Sequence, residues 1–159
     1  MTDLDERYDR FMRENGKRLN LASMTEVAVL KSMTAKNVRM EADWDLIRRI
    51  LGTHPVLVMA PVEPDPGLQM CDHILCVNDE LHVFTNIRDL EEYIYRKNVV
   101  DGTPERVFDV GAMPFAMAVD VADRYHKDLY IDDLMAEGTK CLAYIPRTQT
   151  LRVAGYKKI

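Results

Sequence analysis

Cys71, His73 and Cys76 form the densest set of metal-capable side chains in the sequence. Thiolate and imidazole are the ligands zinc prefers, so the residue types suit a metal. The spacing does not. On one strand over residues 72–77, positions 71 and 73 share a face and 76 points to the other. A fourth ligand would have to come from a distant position such as His54 or Cys141. The three residues therefore read as buried core thiols with a surface histidine, and no metal or other cofactor is expected.

Nucleophilic chemistry has as little support. Ser23 and Ser32 are the only serines, and no G-x-S-x-G elbow is present. The histidines at 54, 73, 82 and 126 leave a Cys–His pair open, but no motif assigns one. Asp120, Asp123, Asp128, Asp132 and Asp133 lie close together, and the first two are neighbours on one helical face. Without a D-x-D-x-D-G loop they read as a solvated acidic face. Gly111-Ala112-Met113-Pro114 has one glycine where a phosphate loop needs several, and reads as the start of a helix. No residue is assigned a catalytic, cofactor-binding or metal-binding role, and the balance leans away from an enzyme.

The 159 residues are 47% hydrophobic and 30% charged, which fits one folded domain. Residues 1–40 are expected as a helical extension and 41–159 as an α/β body. No apolar run reaches the length of a membrane span and the start lacks a signal-peptide pattern, so a cytoplasmic protein off the membrane is expected. Three cysteines, an odd number, argue for reduced thiols. The net charge of −5 is uneven: residues 53–138 carry six Lys/Arg against seventeen Asp/Glu, and residues 139–159 carry five against none. An acidic middle opposes nucleic-acid binding. The basic end is expected to pair with it, within one chain or across the two-fold axis of a homodimer.

These residues need elements to hold them. Leu4, Tyr8, Phe11 and Met12 keep a helical period that Asn15-Gly16 ends. A second helix runs from Thr25-Glu26 to about Lys36, with a strand over residues 26–30 as the other reading. A third has Asp43 as N-cap, Trp44, Ile47, Ile50 and Leu51 on one face, and Gly52 as its close. Residues 55–60 predict a buried strand, and the proline-rich residues 61–67 a loop. Residues 72–77 and 81–85 predict a hairpin through Asn78-Asp79-Glu80. Thr85 or Asn86 caps a helix whose stripe is Leu90, Tyr93 and Ile94. A strand at 106–110 precedes a helix with Pro114 first and Phe115, Ala118, Val119, Ala122 and Tyr125 in phase. Strands at 129–131, 141–145 and 151–156 complete an α+β fold with a mostly antiparallel sheet. One continuous core is expected, including Trp44, Leu51, Val58, Ile74, Phe84, Leu90, Phe115 and Leu142.

The helix 45–51 running into Val56-Leu57-Val58, the phrase Leu81-His82-Val83-Phe84-Thr85-Asn86 leading into a helix, and the helix 114–126 flowing into Asp128-Leu129-Tyr130-Ile131 are a recognisable series. Over about residues 25–135 it resembles the bacterial domain family named for the enhanced-serine-sensitivity protein SseB. The resemblance implies an α/β domain with no established catalytic residues. Where members of that family follow the helix and strand with Asn-Pro, this chain has Asp132-Asp133.

Two function classes remain. One is a non-enzymatic protein-interaction domain, an adaptor or an immunity-type binder, favoured by the acidic middle and the ten methionines. The other is an enzyme or ligand- or metal-binding domain with a dispersed site near Cys71, His73 and Cys76.

Overall fold

A computed structural model of the chain describes residues 10, 20–36, 40–136 and 139–155. The helix expected over residues 4–15 lies outside them, apart from Arg10. The described residues form four helices and eight strands in an α+β fold with a mostly antiparallel sheet.

Helix α1, Met24–Lys36, starts in a reciprocal cap: the Glu26 amide donates to Ser23 Oγ (3.1 Å) and the Ser23 amide to Glu26 Oε1 (3.0 Å). Two otherwise unpaired donors are satisfied at once, which settles residues 26–30 as helix and not strand. Helix α2, Glu41–Thr53, buries Ile47, Ile50 and Leu51. Its start corrects the expectation for Asp43. The cap residue is Met40 and makes no side-chain bond, while Asp43 sits inside the first turn, where its charge favours the helix dipole. Gly52 does not close the helix, which runs on through Thr53 to an extended His54.

Strand β1, Pro55–Pro61, pairs antiparallel over its whole length with β5, Phe108–Pro114. Residues 111–114 are therefore strand and not a helix start. Pro114 is the cap of α4, Phe115–Tyr125, and not its first residue. Between them, β2 (Gln69–Cys71), β3 (Ile74–Val77) and β4 (Glu80–Val83) make two tight hairpins, and α3 spans Ile87–Asp101. The β3–β4 turn is Asn78-Asp79 with φ of 51° and 66°, left-handed at both positions as a two-residue hairpin of this hand requires. Glu80 opens β4 and is not part of the turn.

Strands β6 (Leu129–Ile131), β7 (Lys140–Ile145) and β8 (Thr150–Gly155) complete a six-stranded sheet of order β2-β3-β4-β6-β7-β8, in which only β4 and β6 run parallel. Reciprocal amide bonds between Leu57 and Phe84 (2.6 and 3.0 Å) stitch β1 to the end of β4.

Strand alternation splits the expected single core in two. Leu81 and Val83 face a cluster with Ile47, Leu51, Ile74, Val121 and Leu142. Phe84, two residues beyond His82 on the opposite face, packs with Leu57, Leu90, Tyr93 and Phe108 under α3. Trp44, Phe115 and Val119 are half-buried at the margin of the first cluster, and Tyr125, expected in the α4 stripe, is exposed. No helix among the described residues is long and apolar enough to cross a membrane.

Candidate functional site

Parallel strands end at the same side of a sheet, and their carboxyl ends are where open α/β sheets leave room for ligands. Here β4 and β6 are such a pair, with Val83 beside Ile131. After β4 the chain turns through Thr85 and Asn86 into α3. After β6 it turns at Asp132, whose φ of 58° lies in the left-handed region, uncommon for a residue other than glycine.

Asn86 caps α3 by accepting from the Asp89 amide (3.0 Å). Its Nδ2 donates to Asp89 Oδ2 (3.0 Å), and Lys31 of α1 donates to Asp89 Oδ1 (2.8 Å). Across the gap, Asp132 accepts from the Thr85 amide (2.8 Å) and from Thr85 Oγ1 (2.5 Å). Asn86 Nδ2 also reaches Thr85 Oγ1 (3.2 Å), so Lys31, Asp89, Asn86, Thr85 and Asp132 form one hydrogen-bonded chain. Burial, and then the charge of Asp89, push the Asp132 carboxyl up to about 7, against the pull of the Thr85 bonds and Lys31.

This chain borders a cavity of about 370 Å³ between α1 and the ends of β6 and β7, with Leu30, Ile131 and Leu142 as apolar lining and Lys31, Thr34 and Asp132 as polar lining. Its size suits a small molecule or one large side chain. Cys141 also lines it, but burial drives that thiol far above its ordinary range, so it offers no thiolate. Two hydroxyls of the lining are engaged, Thr34 with the Lys31 carbonyl (2.8 Å) and Thr139 with the Ala136 carbonyl (2.5 Å). The crevice is thus a small apolar slot with one carboxyl, Asp132, raised to about 7 at its edge. In the sequence Thr85 and Asn86 read as cap candidates and Asp132 as one of an acidic group at the turn where the resembling family has Asn-Pro; nothing there joins them, because pairing of β4 with β6 is what does.

The residues singled out in sequence lie elsewhere. His73 sits exposed in the Asp72-His73 turn, not on a strand, since Asp72 at φ 52° reverses the chain into β3. That reversal overturns the expected phase: Cys71 pairs with Ile74, and Cys76, two residues further along β3, points the same way. Both thiols are buried in the first core cluster. Cys141 is three strands from β3, about 14 Å at ordinary strand spacing. His54 is taken up by the Asn20 carbonyl (2.6 Å) and Glu26 Oε2 (2.8 Å); burial opposes its protonation, and these two partners outweigh it, so its pKa is raised. His82 stacks on Tyr130 and packs at a tilt against Tyr93, and burial, with the nearby Lys97 charge, lowers it to about 3, which keeps it neutral. His126 is the left-handed cap that ends α4. Asp123 accepts from the Tyr144 hydroxyl (2.8 Å), and Asp120 is exposed. Among the described residues no group of three or more His, Cys, Asp and Glu side chains converges to hold a metal ion.

The acidic middle satisfies most of its own cations. Arg106 pairs with Asp65 and Asp101, Lys97 with Asp101, Arg96 with Glu92, Arg124 with Asp72 and Lys127 with Asp79. Beside these pairs α3 presents Tyr95, Val99 and Val100 to solvent, at 68%, 59% and 71% exposure. Comparison of the chain with protein-family models, with curated proteins and with solved structures found no match.

Proposed function

We propose that this protein is a non-enzymatic interaction domain that receives a protein partner on the acidic middle of the chain, with the outer face of α3 as the contact. The observation that carries the reading is the exposure of Tyr95, Val99 and Val100 within six residues of one helix. Tyr95 and Val99 are one helical turn apart and share a face. Large side chains exposed together, and not singly, are the mark of a contact surface. The helix leads at Gly102 into a groove lined by Val62, Pro64 and Pro104 with Glu63 and Glu105 at its edge. The chemistry suits a partner with an apolar patch bordered by Lys or Arg, and such binding weakens with salt. Membership of the SseB-like family is part of the same proposal, supported by the helix–strand–helix order on which the resemblance rests. So is a cytoplasmic location, which the three free thiols support.

A photo-cross-linker placed at position 95 tests this in native lysate. The expected result is one principal adduct, weakened by high salt and lost on Val99→Asp. An adduct pattern unchanged by Val99→Asp would overturn the reading.

The Asp132 crevice favours a second reading, a ligand-binding domain. An apolar slot ending in a carboxyl that titrates near neutrality is suited to an amphipathic small molecule. Fragment screening by NMR separates the two: shifts confined to Leu30, Ile131 and Asp132, with a silent α3 surface, would favour the crevice.

A further inference from the structure

Cys71 and Cys76 sit on neighbouring strands, face the same way, and belong to neither of the surfaces above. Because Cys71 pairs with Ile74, Cys76 is its diagonal neighbour and not its direct partner. Diagonal neighbours have Cα atoms about 7–8 Å apart. An unstrained disulfide needs less than about 7 Å, so this pair is set too wide for a direct S–S bond. A bridge with one atom between the sulfurs spans more: two metal–sulfur bonds of about 2.3 Å in line cover about 4.6 Å. Both side chains leave the same face of neighbouring strands, so the two sulfurs share one gap in the first core cluster.

A cation lies in the neighbourhood of the pair. Lys127, just beyond the end of α4, is close enough to both sulfurs to act on them electrostatically, and it is itself held by Asp79 of the β3–β4 turn. Arg124 (2.5 Å) and Tyr125 (3.0 Å) reach Asp72 of the β2–β3 turn, so the end of α4 is latched across both hairpins. Burial holds the Cys76 thiol protonated, and Lys127 works against that.

Zinc would want four ligands, and no third His, Cys, Asp or Glu converges among the described residues. Ions satisfied by two soft ligands do not need one. We infer that Cys71 and Cys76 form a two-coordinate site for a soft monovalent cation, Cu(I) in chemical class, with Lys127 as the neighbouring cation that favours the bound thiolates. Binding replaces two S–H bonds by two S–Cu bonds and releases two protons to solvent, with no change of oxidation state. The bis-thiolate complex carries one negative charge, which the neighbouring Lys127 ammonium favours while it stays paired with Asp79.

The test uses the full chain, reduced and under argon, with Cu(I) supplied as its complex with a coloured chelator. One equivalent of copper should leave the chelator for the wild-type protein and for Cys141→Ser. Cys71→Ser and Cys76→Ser should each retain none, with circular dichroism verifying that they fold. Lys127→Gln should keep the stoichiometry and weaken affinity by about tenfold, the low end for loss of a partner that supports a metal site. If the serine variants do not fold, X-ray absorption on the wild-type complex still decides, since two sulfur neighbours are expected. A nitrogen neighbour, copper uptake surviving in either folded serine variant, or none taken from the chelator by the wild type would overturn the inference.

Discussion

Asp132 concentrates the chemistry of the crevice in one side chain. Its carboxyl is raised from 3.8 to about 7, chiefly by burial. A carboxyl raised on folding holds its proton more tightly in the native chain. Its contribution to stability is therefore fully present below about pH 3.8 and is lost as pH rises through about 7. His82 works in the opposite sense, since its folded value near 3 lies below the ordinary 6.5 and costs stability as pH falls between them. Comparison with Asp132→Asn isolates the aspartate, because His82 titrates alike in both proteins. Asparagine also tolerates the left-handed backbone at this position. Urea melts at pH 5 and pH 8 should show the wild type losing stability relative to Asp132→Asn on going to the higher pH. A stability difference between the two proteins that does not change with pH would contradict a raised carboxyl.

The caps of α1 and α3 look alike in sequence but carry different loads. Ser23→Ala removes one side-chain acceptor at an exposed helix start and should cost about 1 kcal/mol in a thermal or urea melt. Asn86→Ala removes the cap of α3 and also a donor to the buried Asp89, so it should cost more, about 2–3 kcal/mol. Leu51→Ala, at 2% exposure on the inner face of α2, should cost roughly 2–5 kcal/mol by leaving a cavity. Equal losses for the two cap variants would mean that the Asn86 bond to Asp89 carries nothing. Elements with a local signal were legible: the periods of α2, α3 and α4, and the Asn78-Asp79 turn. Ser23 with Glu26 three residues on has the spacing of a reciprocal cap, which a reading by apolar period from Thr25-Glu26 passes over. The Asp72-His73 turn was not, because the residues around it read as one strand and only the left-handed Asp72 breaks it. The crevice was hidden for a different reason. Its hydrogen-bonded chain joins α1, the start of α3 and the end of β6, and no local pattern announces the parallel pairing that brings them together.

At the scale of the molecule the uneven charge decides what can approach. Five of the six cations in residues 53–138 pair with carboxylates of the same stretch, so the acidic middle does not depend on the basic end to hold its shape. The strands of that end, β7 and β8, occupy the opposite edge of the six-stranded sheet from β2, with Arg147 and Arg152 exposed. With seventeen acids against six bases, internal pairing still leaves a surplus of eleven acids in the middle, and Glu63, Glu105 and Asp120 face solvent. The acidic surplus thus lies in residues 53–138, while the described part of the last stretch exposes Arg147 and Arg152. On the proposed reading, such a surplus would steer basic partners toward this stretch and disfavour nucleic acid. It also sets a competition, because a second copy could offer its own basic edge to the same surface. A few exposed charges bring chains together only weakly, since each surface pair is worth about 0–1 kcal/mol against the entropy of association. The protein should therefore sediment as a monomer at both low and high salt and fail to shift a DNA duplex at physiological salt. A dimer at low salt that dissolves at high salt would make a second copy the partner of the acidic surface, and Arg152→Glu should then abolish it.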